Sequence, residues 1–67
     1  MTFTEMQHTN KHYLIALEYT KNNCYIVSVC PRHSEIFFGY PIREITYTKD
    51  EKKKAIATYK RYLKKYL

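Results

Sequence analysis

Residues 12–30 read HYLIALEYTKNNCYIVSVC. Tyr13, Ile15, Leu17 and Tyr19 alternate with Leu14, Ala16 and Glu18, the period-2 pattern of a strand with one distinctly apolar face. After Lys21, Asn22 and Asn23, the alternation resumes with Tyr25, Val27 and Val29 on one side and Cys24, Ile26, Ser28 and Cys30 on the other. Asparagine tolerates the left-handed backbone conformation, so TKNN supplies the turn. If Lys21 to Asn23 form a three-residue loop, Tyr19 opposes Tyr25, Leu17 opposes Val27 and Ile15 opposes Val29. Both apolar sets then share one face, and a β-hairpin of defined register is the expected framework.

Downstream, Pro31 ends the second strand because it has no N–H for the ladder, and PRHS turns the chain into EIFFGYPIREITYT. This predicts a third, long strand from Ile36 to Tyr47, bent around Gly39 and Pro41. Thr48 followed by Glu51 is a capping-box pattern, so a helix is expected over 49–66. On a wheel with Ala55 at zero, Tyr62, Tyr66, Tyr59, Leu63, Ile56 and Leu67 complete an apolar stripe about 140° wide. The expected fold is α+β: a three-stranded antiparallel sheet over 12–47 followed by one C-terminal amphipathic α-helix (β-β-β-α), in a single domain spanning 1–67. The sheet's second face, with Leu14, Cys24, Ile26 and Cys30, looks too apolar for full exposure. Residues 1–10, flexible or folded across it through Phe3 and Met6, or a second copy in a homodimer, are the expected cover.

A 67-residue chain holds one domain and buries roughly 60% of the surface its unfolded form exposes. With 45% hydrophobic residues, one Gly and two Pro, it reads as folded rather than disordered. No apolar run reaches the roughly 20 residues of a membrane span, and MTFTEMQHTNKHY lacks the pattern of a signal peptide. An intracellular, cytoplasmic protein is expected. Cys24 and Cys30 on one strand would stand about 20 Å apart, beyond disulfide reach, so both are expected as free thiols.

The formal net charge of +6 is unevenly placed. Up to Tyr47 the cations Lys11, Lys21, Arg32 and Arg43 balance Glu5, Glu18, Glu35 and Glu44. The whole excess sits beyond, where only Asp50 and Glu51 offset the basic residues. On the helical wheel Lys53, Lys54, Lys60, Arg61, Lys64 and Lys65 spread from about 140° to 280°, opposite the apolar stripe and with no acid among them. An exposed helix needs polar residues, and lysine is a good helix former. Yet a merely solvated face commonly mixes signs, whereas Lys60/Lys64 and Arg61/Lys65 stack like charges at i,i+4. A negatively charged partner turns that cost into affinity, and nucleic-acid phosphates are the commonest. Anionic lipid fits less well, because the apolar stripe is committed to the core. Of the eight tyrosines, Tyr59, Tyr62 and Tyr66 lie on the stripe and Tyr13, Tyr19 and Tyr25 on the core face. Tyr40 and Tyr47 remain as candidates for exposure and base stacking.

His8, His12, Cys24, Cys30 and His33 are metal-binding residue types, but C-x5-C with His three residues on matches no zinc-finger or zinc-ribbon spacing. No sequence element supplies a nucleophile with an orienting carboxylate, and no glycine-rich loop is present to cradle a nucleotide. The expectation is a non-enzymatic chain with no metal and no cofactor.

The order of strands followed by a basic helix, joined through TYTKDEKKKAIATY, resembles the three-stranded-sheet DNA-binding domains, namely the arm-binding domains of tyrosine recombinases and the AP2-type domains. The resemblance covers Tyr13 to Leu63 in topology and only that join in sequence. It implies a helix packed behind a sheet that enters the major groove. This chain departs from those families in having no Trp and only Arg32 and Arg43 in the sheet region, so no individual DNA-reading residue carries over. The expected function is small-protein binding of nucleic acid through Lys53, Lys54, Lys60, Arg61, Lys64 and Lys65. The rival is a protein-interaction module, such as a phage or mobile-element regulator or inhibitor, docking on an acidic protein surface.

Overall fold

The computed structural model describes residues 2–35 and 37–67. The hairpin forms from β2, Tyr13–Thr20, and β3, Cys24–Pro31, in the expected register: Ile15 opposite Val29, Leu17 opposite Val27, Tyr19 opposite Tyr25. Asn23 takes the left-handed backbone conformation, with φ 60°, that closes the loop. Beyond the irregular connection come β4, Arg43–Thr48, a tight 3-10 turn, Lys49–Glu51, and the helix α1, Lys52–Tyr66. Thr48 begins the turn as expected, its backbone N–H and its hydroxyl both donating to the Glu51 carboxylate at 3.0 and 3.1 Å.

The fold is α+β with an antiparallel sheet followed by a C-terminal helix, but among the described residues the sheet has four strands rather than three, in the order β1-β2-β3-β4. The added strand is β1, Thr2–Thr9, which runs alongside β2 instead of folding across the sheet. A bulge between Thr4 and Met6 leaves Glu5 without a register partner. Phe3 and Met6, three residues apart, therefore oppose Tyr19 and Leu17 on one face. The long third strand is also corrected. Ile36 lies outside the described residues, Phe38 makes one isolated bridge to Arg32, and continuous pairing begins only at Arg43. Pro41 has no ladder donor, and Gly39 presses so close that a Cβ there would stand 2.6 Å from His33 Nε2.

One face of the sheet packs on α1. Ile15, Leu17, Val27 and Val29 are fully buried, with Tyr25, Ala55, Tyr59 and Tyr62 completing the core. Thr58, absent from the expected stripe, is buried because its hydroxyl meets the Tyr47 hydroxyl at 2.6 Å. Tyr47 is accordingly half-buried rather than exposed, while Leu67 at the end of the stripe is exposed. Thr58 therefore marks the side of α1 toward β4. Ile56 and Leu63, on the opposite flank of the stripe, and Met6 of β1 are half-buried against the same core.

Asn10 ties this end of the molecule together. Its side-chain carbonyl accepts from the N–H groups of His12 and Tyr13, both at 2.8 Å, forming the β1–β2 turn. Its amide donates to the Tyr66 carbonyl at 3.2 Å, satisfying an orphan acceptor of the last helical turn. Arg32 Nη1 in turn donates to the Asn10 carbonyl at 2.8 Å. Replacing Asn10 with Ala removes three side-chain bonds, and a loss of about 1–3 kcal/mol in urea unfolding is expected. Asn10→Asp keeps the turn acceptor and should retain part of that loss; equal stability of wild type and Asn10→Ala would contradict the assignment.

Candidate functional site

The helix presents seven cations to solvent or to its neighbours: Lys52, Lys53, Lys54, Lys60, Arg61, Lys64 and Lys65, all exposed. They are not equivalent. Lys52 leans toward the sheet, its ammonium 6.0 Å from the centre of the Tyr25 ring. Lys54 Nζ stands 3.5 Å from Glu51 Oε2, the one ion pair among the described residues, so an acid from outside the basic arc offsets its N-terminal edge. Glu51's carboxyl is held below its ordinary value chiefly by the Thr48 N–H, which keeps it anionic beside Lys54. Lys65 lies over the Tyr66 ring at 5.6 Å.

Lys53, Lys60, Arg61 and Lys64 remain, with no carboxylate partner among the described residues. Lys60, Arg61 and Lys64 border a shallow groove of about 430 Å³ whose fourth lining residue is Ala57. Ala57 sits at the middle of the basic arc, and its single methyl leaves room between the long side chains around it. Sequence reading passed over it because alanine carries no chemistry; its significance is steric. Lys64 and Lys65 lie in the last helical turn, where the negative end of the macrodipole favours them.

The opposite side of the molecule has the opposite sign. Strand alternation puts Leu14, Ala16 and Glu18 of β2, Cys24, Ile26, Ser28 and Cys30 of β3, and Glu44, Thr46 and Thr48 of β4 on the sheet face away from α1. Within the four strands, no Lys or Arg among the described residues shares that face. Thr2 Oγ1 donates to Glu18 Oε2 at 2.9 Å. The Cys30 thiol is pushed up first by burial and then by the Glu18 and Glu44 carboxylates on the same face. Both cysteines are free thiols, as the spacing implied.

Among the described residues nothing folds across this face. Ala16 and Ser28 are buried there because they are short and their neighbours are larger, and Leu14, Ile26, Cys24 and Cys30 are half-buried. Strands β1 and β4 shield them from the flanks. Strands β2 to β4 thus place two carboxylates, Glu18 and Glu44, and no cation on this face. No three His, Cys, Asp or Glu side chains among the described residues are grouped as metal ligands, and no helix among them is long and apolar enough to cross a membrane.

The acidity of the open face is measurable through its thiol. In a Cys24→Ser variant, iodoacetamide labelling of Cys30 is expected to show a pH midpoint above the ordinary thiol value. Adding Glu18→Gln and Glu44→Gln should lower that midpoint, because burial is then opposed by the Ser28 hydrogen bond with no carboxylate to support it; an unchanged midpoint would contradict the placement of the two carboxylates. Comparisons with protein-family models, with curated proteins and with solved structures found no match to this chain, so its function has to be read from these two surfaces.

Proposed function

We infer that this chain is a small non-catalytic binding protein that takes nucleic acid on the outward face of α1, through its phosphates. One observation carries the reading: Lys53, Lys60, Arg61 and Lys64 crowd the side of the helix opposite the core with no acidic partner among the described residues. Keeping like charges together costs stability unless a polyanion neutralises them. From Lys53 to Lys64 the helix rises about 16 Å, over which one strand of a duplex presents about five phosphates. Such contacts position a protein on the backbone without reading sequence. Lys54 and Lys65 flank the set; Lys54 contributes less because Glu51 already offsets it.

The acidic sheet face supports the same orientation, since two carboxylates there repel the backbone and leave the helix as the approach side. A protein-interaction reading draws on a different feature, the outer edge of β1, which pairs only with β2 among the described residues. The Glu5 bulge interrupts that edge and makes it a poor template for a partner strand.

Anisotropy of a labelled random-sequence duplex, titrated with protein across a salt series, tests the proposal. Four phosphate contacts give a slope of log K against log salt of about −3.5. Replacing Lys60, Arg61 and Lys64 together with Ala should leave the circular dichroism spectrum intact and reduce the slope's magnitude by about 2–3 on every sequence. Binding that persists unchanged in the triple variant, or that unrelated DNA cannot compete, would overturn it.

A further inference from the structure

The connection between β3 and β4 displays aromatic side chains with no part in the core. Tyr40 is 93% exposed and Phe37 64% exposed. With Phe38, Pro31, His33, Gly39 and Pro41 they line a cavity of about 570 Å³. Exposed large apolar groups gathered in one place mark an interaction site rather than a folding requirement.

The loop backbone that presents these rings is tied down, and the Phe37 ring lies beside His33 with ring centres 6.1 Å apart. The N–H groups of His33 and Ser34 donate to the Phe37 carbonyl at 2.9 and 3.2 Å, and the Phe37 N–H donates to Ser34 Oγ at 3.1 Å. Gly39 N–H donates to the Pro31 carbonyl at 2.9 Å. The Arg32 guanidinium donates to the carbonyls of Asn10 and Ser34 at 2.8 and 3.1 Å, pinning the loop to the β1–β2 turn. A backbone already ordered lowers the entropy cost of presenting its side chains to a flat partner.

The surroundings decide the class of partner. A second cavity, of about 290 Å³, shares His33 with the first and adds Lys11, Arg32 and Ser34, with Glu35 its one carboxylate. On the other side, Pro31 opposes Tyr13 in the sheet, Tyr13 packs edge-on to Tyr66 with ring centres 5.0 Å apart, and Lys65 lies over Tyr66. The aromatic loop is thus continuous with the C-terminal end of the basic helix. Exposed rings beside a cationic track are the combination that holds unpaired bases and their phosphates together.

We propose that the ligand is single-stranded nucleic acid, with bases stacked on Phe37 and Tyr40 while the phosphates follow Lys64 and Arg61 along α1. This rests on the phosphate-binding reading of the helix and adds to it a preference for unpaired strands. A duplex keeps its base faces stacked internally and offers the loop only its backbone, so the rings discriminate between the two forms.

The test compares three labelled probes: a thymidylate strand of about 20 nucleotides, longer than the roughly 4–16 nucleotides a small single-strand-binding domain covers, an abasic strand of equal length, and a duplex of equal length. The thymidylate strand should bind about tenfold or more tighter than the abasic strand, the effect of stacking one or two bases. Phe37→Ala with Tyr40→Ala, both exposed and outside the core, should leave the circular dichroism spectrum intact, erase that difference and leave abasic and duplex affinities unchanged. Equal affinity for the thymidylate and abasic strands, with duplex binding intact, overturns the stacking inference and spares the helix reading. Failure to bind any of the three overturns both. A thymidylate preference that survives the double variant places the stacking elsewhere and overturns the assignment to this loop, leaving Phe37 and Tyr40 as a protein-docking patch.

Discussion

A single helix covers only one face of a four-stranded sheet, and the rest of this molecule is arranged around that constraint. Its helix-side core is small: four fully buried aliphatic side chains from β2 and β3, closed by Ala55, Tyr59 and Tyr62 from α1. Ala55 lets the helix approach closely, and the tyrosines reach sideways to cover what a narrow helix leaves open. Tyrosine suits that rim because its ring is buried while its hydroxyl stays bonded or wet. Tyr47 bonding to Thr58 and Tyr19 bonding to Asn23 Oδ1 at 2.5 Å are two instances.

With one face committed to α1, the two remaining broad surfaces are free to differ in charge, and they do. The sheet face is shielded laterally by threonine-rich outer strands and carries Glu18 and Glu44. The outward helix face carries the cations. Such an asymmetry orients an approaching polyanion before contact, since field lines from the basic side are not cancelled by acids on the same side. The same layout explains why the helix tolerates repulsion along Lys60, Lys64 and Arg61: its stability comes from packing on the sheet, not from pairs on its own surface.

The hairpin register, the Thr48–Glu51 helix start and the division of α1 into apolar and basic sides were legible in the sequence, because strict alternation and a 3.6-residue period leave few ways to bury Ile15, Leu17, Val27, Val29 and Tyr59 together. What escaped was governed by irregularity. Phe3 and Met6 have the wrong spacing for one strand face until the bulge at Glu5 corrects it, so a period-2 reading misses β1. Thr58 is polar by type and buried by partnership, which no wheel reveals. Phe37 and Tyr40 lie in a run of residues favoured in strands, yet Gly39 and Pro41 break the ladder and leave them displayed. In the candidate site, the six basic residues were readable from periodicity, whereas the pairing of Lys54 and the spacing role of Ala57 needed side-chain geometry.

The central claim is that the outward face of α1, and not the open face of the sheet, meets nucleic acid. Its most direct test is a titration of the isotopically labelled protein with unlabelled nucleic acid at low salt, followed by amide and arginine side-chain chemical shifts. Shifts concentrated on Lys53, Ala57, Lys60, Arg61 and Lys64, with Ala16, Ile26 and Ser28 unmoved, are the expected result. Shifts centred on Ala16, Ile26 and Ser28 with a silent helix, or no shifts at all, would contradict it.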